Sequence, residues 1–297
     1  MLTPFRELLR DRTVAGAAVG AFTCYDVTTA LGVLRAAEEH RAPAILLVGD
    51  ASFRAREGPL LVAALLAVAR AASVPACVQL DHASDPAVLR AAIAAGVGAV
   101  MADGSRLAMP GNAELVRRVR DAAAAAGVGV EAELGHVEGG EDVAAAAAAG
   151  ALTDPDEAAA FVAATGVDCL AVSIGNVHGR YASPPALDWE RLERIRDRVG
   201  ATPLSLHGAS GLPDADVRRA IALGVRKVNV NTELRGRYLD ELERRLPEVR
   251  EELRLLELEA AVVAAVAETA AAKLDLLAGG AGPSAVAYPA ASASDSA

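Results

Sequence analysis

His82, His178 and His207 are three of only five histidines in a chain of 297 residues, and each ends a short apolar run. The runs read Gln79-Leu80-Asp81-His82, Gly175-Asn176-Val177-His178-Gly179 and Leu206-His207-Gly208-Ala209-Ser210-Gly211. Three imidazoles converging on one place describe a metal site with an open coordination position, the arrangement that catalytic zinc requires. A single histidine after a strand is more often a satisfied polar residue, so the reading depends on all three meeting. Carboxylates stand at equivalent places: Asp81, Asp103 in Asp103-Gly104-Ser105, and Glu131 and Glu133. The segment Gly135–Asp142 mixes glycines with Glu138, Glu141 and Asp142. A carboxylate on such a segment can swing in as a general base. Gly208-Ala209-Ser210-Gly211 and Asn229-Val230-Asn231-Thr232 offer backbone N–H groups and hydroxyls of the kind that hold a phosphate. His40, in a helical Glu-Glu-His-Arg stretch, reads as a solvated helix end, and His136 belongs to the acidic segment.

These residues act together only if the fold carries them to one rim. Short runs rich in β-branched residues alternate with longer helical segments. Strands are expected at Val19–Thr23, Ala44–Val48, Ala76–Leu80, Ala99–Ala102, Gly129–Glu133, Cys169–Ser173, Leu204–Leu206 and Lys227–Val230. Helices are expected near 27–40, 59–72, 86–95, 112–126, 155–164, 188–198 and 213–222, with Asp85-Pro86 and Asp154-Pro155 as start signals. The pattern predicts an α/β fold, a (β/α)8 TIM barrel, whose active site lies at the C-terminal ends of the strands. A doubly wound open sheet uses the same alternation, but no strand is followed by GxGxxG. Leu239–Leu256 and Glu257–Leu277 read as the eighth barrel helix and an appended C-terminal helix. The expected organisation is a single barrel domain over 1–278 and a disordered Gly/Ala/Ser/Pro-rich tail over 279–297.

Composition narrows the class further. A net charge of −10 without a basic cluster argues against nucleic-acid binding. The absence of a signal-peptide h-region or a long apolar run predicts a cytoplasmic protein without a membrane span. Cys24, Cys77 and Cys169 lie scattered in apolar runs and read as reduced, buried thiols. Only Lys227 and Lys273 are lysines. Lys273 falls in the C-terminal helix and Lys227 at the end of its strand away from the rim, so neither is expected to form a Schiff base.

The motifs resemble the class II, zinc-dependent ketose-bisphosphate aldolases, most closely the tagatose-bisphosphate aldolase branch. The resemblance runs from about Val19 to Thr232. It is carried by Leu-Asp81-His82, Val-Glu131-Ala-Glu133-Leu-Gly135, Gly175-Asn-Val-His178-Gly179, Leu-His207-Gly208-Ala-Ser210-Gly211 and Val-Asn229-Val-Asn231-Thr232. It implies that His82, His178 and His207 bind catalytic Zn2+, with Asp103 and Glu133 at positions able to hold a displaced metal. It implies that Asp81 protonates the aldehyde oxygen and Glu141 removes the donor proton. Gly179, Gly208, Ser210, Asn229, Asn231 and Thr232 match the phosphate site for dihydroxyacetone phosphate, where the family also binds a monovalent cation, Na+ or K+.

The implied reaction joins dihydroxyacetone phosphate to an aldehyde, or cleaves the ketose phosphate, as on fructose or tagatose 1,6-bisphosphate. The implied partners are a phosphorylated sugar and further copies of the chain in a homodimer or homotetramer. Three departures fall on the acceptor half of the site. Phe22-Thr23-Cys24-Tyr25-Asp26 replaces Phe-Asn-x-x-Asn and so adds the negative charge of Asp26, able to repel a second phosphate; Glu138 displaces the first glycine of the loop's Gly-Gly, and no Asp-Pro-Arg segment appears in Pro247–Glu257. They leave open an altered acceptor. The alternative they raise is a metal-retaining phosphosugar-binding or regulatory barrel with little turnover.

Overall fold

In the computed structural model, which describes residues 1–139, 146–147, 150–181 and 186–279, eight parallel strands close on themselves. They are β1 (Val19–Thr23), β2 (Ala44–Gly49), β3 (Ala76–Ala83), β4 (Ala99–Ala102), β5 (Gly129–Leu134), β7 (Cys169–Val172), β9 (Leu204–Leu206) and β10 (Val225–Val230). Two short strands outside the barrel, β6 (Ala146–Ala147) and β8 (Arg180–Tyr181), pair with each other. The barrel shuts where β1 meets β10, with Val19 opposite Lys227 and Phe22 opposite Val230. The expected (β/α)8 barrel is therefore the observed fold. β3 runs three residues beyond the expected strand and β10 starts two residues earlier.

The strands are almost wholly buried. One side chain of each alternating pair packs against helices and the other points into the barrel. The outer layer holds α2 (Val27–Glu39), α4 (Gly58–Ala71), α5 (Pro86–Ala94), α6 (Met109–Ala125), α7 (Pro155–Thr165), α8 (Trp189–Val199), α9 (Asp214–Ala222) and α10 (Thr232–Arg250). A short helix, α3 (Asp50–Arg54), follows β2. Asp85 accepts from the N–H of Ala87, and Asp154 from those of Asp156 and Glu157, so both expected caps are formed. The C-terminal helix α11 (Leu255–Leu277) lies against α2, α9 and α10.

The pattern of expected elements omitted α1 (Phe5–Ala15). Its Phe5, Leu8 and Leu9 pack with Val19, Ala21, Ile45, Leu47, Cys77, Ala99 and Cys169 inside the barrel. The Phe5, Leu8, Leu9, Arg12 spacing is a helical stripe, and all four residues are buried. All three cysteines are free and buried. Among the described residues no helix is long and apolar enough to cross a membrane. The expected tail, apart from Gly279, lies outside the described residues.

Candidate metal centre

Four strands carry polar residues at a spacing of two: Gln79 and Asp81 on β3, Glu131 and Glu133 on β5, Ser205 on β9 with His207 just after it, and Lys227 and Asn229 on β10. All eight are buried. Period-two alternation sends them to one face, here the barrel interior, while Leu80, Ala132, Leu206 and Val228 between them join the core under the helices. That repeated pairing was available in the sequence as a sign of a polar interior.

His82 breaks this rule productively. Following Asp81, it would point outward with Leu80. Instead its backbone takes φ = 52°, and the β3–β4 register shifts between Leu80 and Ala83. A left-handed non-glycine residue in a strand is strained, and a local register break re-aims its side chain. Two consecutive residues, Asp81 and His82, thereby serve one site. The His82 ring lies 4.9 Å from that of His178 and 4.8 Å from that of His207, centroid to centroid. Ligand atoms of His82, Glu133, His178 and His207 all fall within 4.8 Å of one another. The three histidines expected to meet do meet.

Asp103 is not in that group; it bonds to Nδ1 of His82 at 2.9 Å. Burial would raise this carboxyl, but hydrogen bonds from His82 and Ser105 outweigh it and hold Asp103 well below the usual carboxylate range. An ionised Asp103 accepts a hydrogen bond from Nδ1–H of His82, which puts the imidazole lone pair on Nε2, the nitrogen a metal would use, as carboxylate–histidine pairs do around metals. Glu133 receives the N–H of Val137 on Oε1 at 2.9 Å, while Asn112, which motif reading did not single out, donates to its carbonyl at 2.7 Å. Burial likewise opposes ionisation of Glu133, and the imidazoles of His136, His207 and His82 reverse that. Asn176 ties the loop carrying His178 to the neighbouring strand end, donating from Nδ2 to the His207 carbonyl at 3.1 Å.

The donor set suits a divalent cation. Oε2 of Glu133 and Nδ1 of His207 are buried, 3.5 Å apart, and have no hydrogen-bond partner among the described residues. Burial disfavours a charged His207, yet Glu131 and Glu133 raise its pKa: the pocket attracts positive charge. Three imidazoles and a carboxylate are ligands of zinc type, and a cation would satisfy both orphaned atoms at once. A cleft of ≈ 240 Å³ opens over this group and reaches Asp50, Arg106 and His136.

The remaining expected residues surround the group. Asp81 is buried, and its Oδ2 accepts from Nδ2 of Asn229 at 3.2 Å. Gly208 takes φ = 61°, and its carbonyl accepts from the Tyr181 hydroxyl at 2.9 Å. Ser210 follows in the same turn. Asn231 precedes α10 without capping it through its side chain, which lies 3.3 Å from the Tyr25 hydroxyl, and the first-turn N–H groups of a helix have no acceptor within the helix itself. Gly179 follows His178 with φ = 82°. Glu141 lies outside the described residues.

Two expectations change. Asp26 does not add a free negative charge to the acceptor side: it caps α2 through the N–H and hydroxyl of Thr29 and accepts from the Tyr238 hydroxyl. Lys227 is not remote from the site. It stands in mid-strand, and its Nζ reaches Glu131, which touches His207. Burial works against its charge, and Glu131 more than compensates, raising its pKa. A fully buried, charged ammonium is a poor nucleophile, so a Schiff-base role still does not follow.

Comparison with known proteins bears on the family and the fold. The family model for class II fructose-bisphosphate aldolase matches residues 3–281. The Escherichia coli (strain K12) protein YdjI, described as uncharacterised, is 40% identical over an aligned length of 240 residues, with 79% of this chain and 84% of YdjI covered. The crystal structure of the YdjI aldolase from Escherichia coli K12 superposes with a TM-score of 0.82 at 34% identity, covering 93% of this chain and 97% of that one. A fructose-bisphosphate aldolase from Campylobacter jejuni shares the fold at 20% identity, with a TM-score of 0.78 over 93% of this chain and 95% of that one.

Proposed function

The chain belongs to the class II fructose-bisphosphate aldolase family, and from that premise we propose that it is a zinc-dependent aldolase using dihydroxyacetone phosphate as donor. The observation that carries the reading is the group of His82, Glu133, His178 and His207, whose ligand atoms lie within 4.8 Å of one another. Bound there, zinc supplies the Lewis acid that stabilises negative charge developing on a substrate oxygen. His82 and His207 are oriented for this by Asp103 and Glu131 respectively.

In the proposed roles, Gly179, Gly208, Ser210, Asn231 and Thr232 bind the phosphate, with Na+ or K+ beside it. The Asn229 side chain is engaged by Lys227 and Asp81, which leaves its backbone for that phosphate. Glu141 takes a proton from C3 of the donor, the C3–C4 bond forms, and Asp81 delivers a proton to the oxygen of the former aldehyde. In cleavage the same protons move in reverse. Glu141→Gln should slow exchange of the donor C3 proton with solvent by about a hundredfold or more, the usual contribution of a general base, with zinc still bound. Proton exchange followed by NMR checks this, and an undiminished rate removes Glu141 from the role.

The acceptor aldehyde in this reading carries an anionic group. Arg106 lines the cleft beside His82 and His136 and forms no ion pair among the described residues. A guanidinium there offers a fork of donors to a phosphate or carboxylate. Arg106→Ala is expected to raise KM about tenfold for anionic aldehydes, the loss of about 1.4 kcal/mol, and to leave neutral aldehydes unaffected. An acceptor panel with zinc-loaded protein and dihydroxyacetone phosphate measures both, and equal effects on the two classes would exclude Arg106 as the contact.

A further inference from the structure

Lys227 and Glu131 form a fully buried ion pair that the proposed reaction does not use. Nζ of Lys227 lies 2.9 Å from Oε2 and 3.2 Å from Oε1 of Glu131, and it also donates to Oδ1 of Asn229. Two arms lead away from this ammonium. One runs through Oε1 of Glu131 to Nε2 of His207 at 3.0 Å. The other runs through Nδ2 of Asn229 to Oδ2 of Asp81 at 3.2 Å. Gln79 completes the setting, donating to Oε2 of Glu131 at 2.6 Å.

Burying an ion pair carries a desolvation cost that apolar residues of similar volume avoid, so its place directly behind a histidine of the donor group calls for a reason other than stability. Imidazole geometry supplies one. A neutral histidine offers one nitrogen to a metal and carries its proton on the other. The Glu131 carboxylate can only accept, so it takes the Nε2–H of His207. The lone pair then sits on Nδ1, the nitrogen that faces Oε2 of Glu133 across 3.5 Å.

We propose that Lys227 is a positioning residue of the metal centre: it pins Glu131 so that His207 presents Nδ1 to the metal, and through Asn229 it holds Asp81 beside the same group. The inference rests on reading His207 as a zinc ligand. Lys227 itself touches neither metal nor substrate.

The test uses full-length protein loaded with Co2+, whose visible bands report ligand geometry, and compares the unsubstituted chain with Lys227→Met, Lys227→Arg and Glu131→Gln. Lys227→Met keeps most of the stem volume while removing the charge and the donor. It should weaken metal binding, measured by competition with a chelator, about 10- to 100-fold and shift the Co2+ bands. Glu131→Gln should do the same, and the Lys227→Met/Glu131→Gln double variant should be no worse than either single one, because the two residues act as a unit. Lys227→Arg should recover part of the affinity. A folded Lys227→Met protein with unchanged spectrum and affinity would overturn the proposal, even if it melted at lower temperature. Should Lys227→Met not fold, Lys227→Gln, which retains a neutral donor, carries the same comparison. Failure of the unsubstituted chain to bind Co2+ would instead overturn the zinc reading on which this one stands.

Discussion

Replacing His207 with alanine should lower retro-aldol turnover at least about a thousandfold, because the Lewis acid contributes several kcal/mol to the reaction and each ~1.4 kcal/mol is a factor of ten. The imidazole is fully buried, belongs to the four-residue donor group and is flanked by two carboxylates. On the proposed zinc reading its removal takes a ligand from the metal and leaves Glu131 and Glu133 facing a cavity, so a lower unfolding midpoint should accompany the loss of zinc. Metal content by emission spectroscopy and a coupled assay on a ketose 1,6-bisphosphate measure the two effects. Excess chelator should have the same consequence in the unsubstituted protein, and added zinc should reverse it. Full turnover in chelator, or in His207→Ala, ends the metal reading.

Gly208→Ala should be nearly as damaging, by a different route. A Cβ at this position would lie 2.0 Å from the Val177 carbonyl oxygen and 2.5 Å from its carbon, and the backbone takes φ = 61°. The obstacle is main chain, which cannot rotate away as a side chain would. Left-handed backbone costs an L-residue about 1–2 kcal/mol and overpacking adds about 1–3 kcal/mol, so stability should fall by about 2–5 kcal/mol. Relief of the clash would displace the segment between His207 and Ser210, where a proposed ligand and a proposed phosphate contact adjoin. KM for the phosphorylated substrate should rise while stability falls, and denaturant unfolding with steady-state kinetics checks the pair. Wild-type values for both would mean that the turn yields freely and that Gly208 is not a point of close approach.

The barrel and the meeting of the three histidines were legible because both depend on repeated local patterns: strand and helix alternation, and a polar residue where each strand ends. What stayed hidden depends on contacts across the barrel. Nothing near Lys227 in the chain indicates Glu131, 96 residues away. Viewed as a strand-initial residue it looked remote from the rim, whereas its long stem carries the ammonium to Glu131. Asp103 was expected at a position able to hold a displaced metal, and its 2.9 Å approach to Nδ1 of His82, from 21 residues away, is a contact that the sequence did not indicate. The left-handed turn at His82 had no precursor in the sequence either, since strand alternation predicts the opposite direction for that ring. Asp26 looked like a substrate-side charge because its capping partners, Thr29 and Tyr238, lie on two different helices.

The pairing of Lys227 with Glu131 also bears on how the chain assembles. Glu131 comes from the fifth barrel strand and Lys227 from the eighth, whose docking onto β1 completes the ring. Until that last strand arrives, any partial barrel that shelters β5 from water must bury a carboxylate without its cation, a state several kcal/mol less favourable than the paired one. Incomplete barrels are therefore penalised at their centre, and the ion pair acts as a check on closure. The chain should accordingly unfold as a unit, and fragments ending before β10 should remain unstructured or aggregate rather than rest as stable half-barrels.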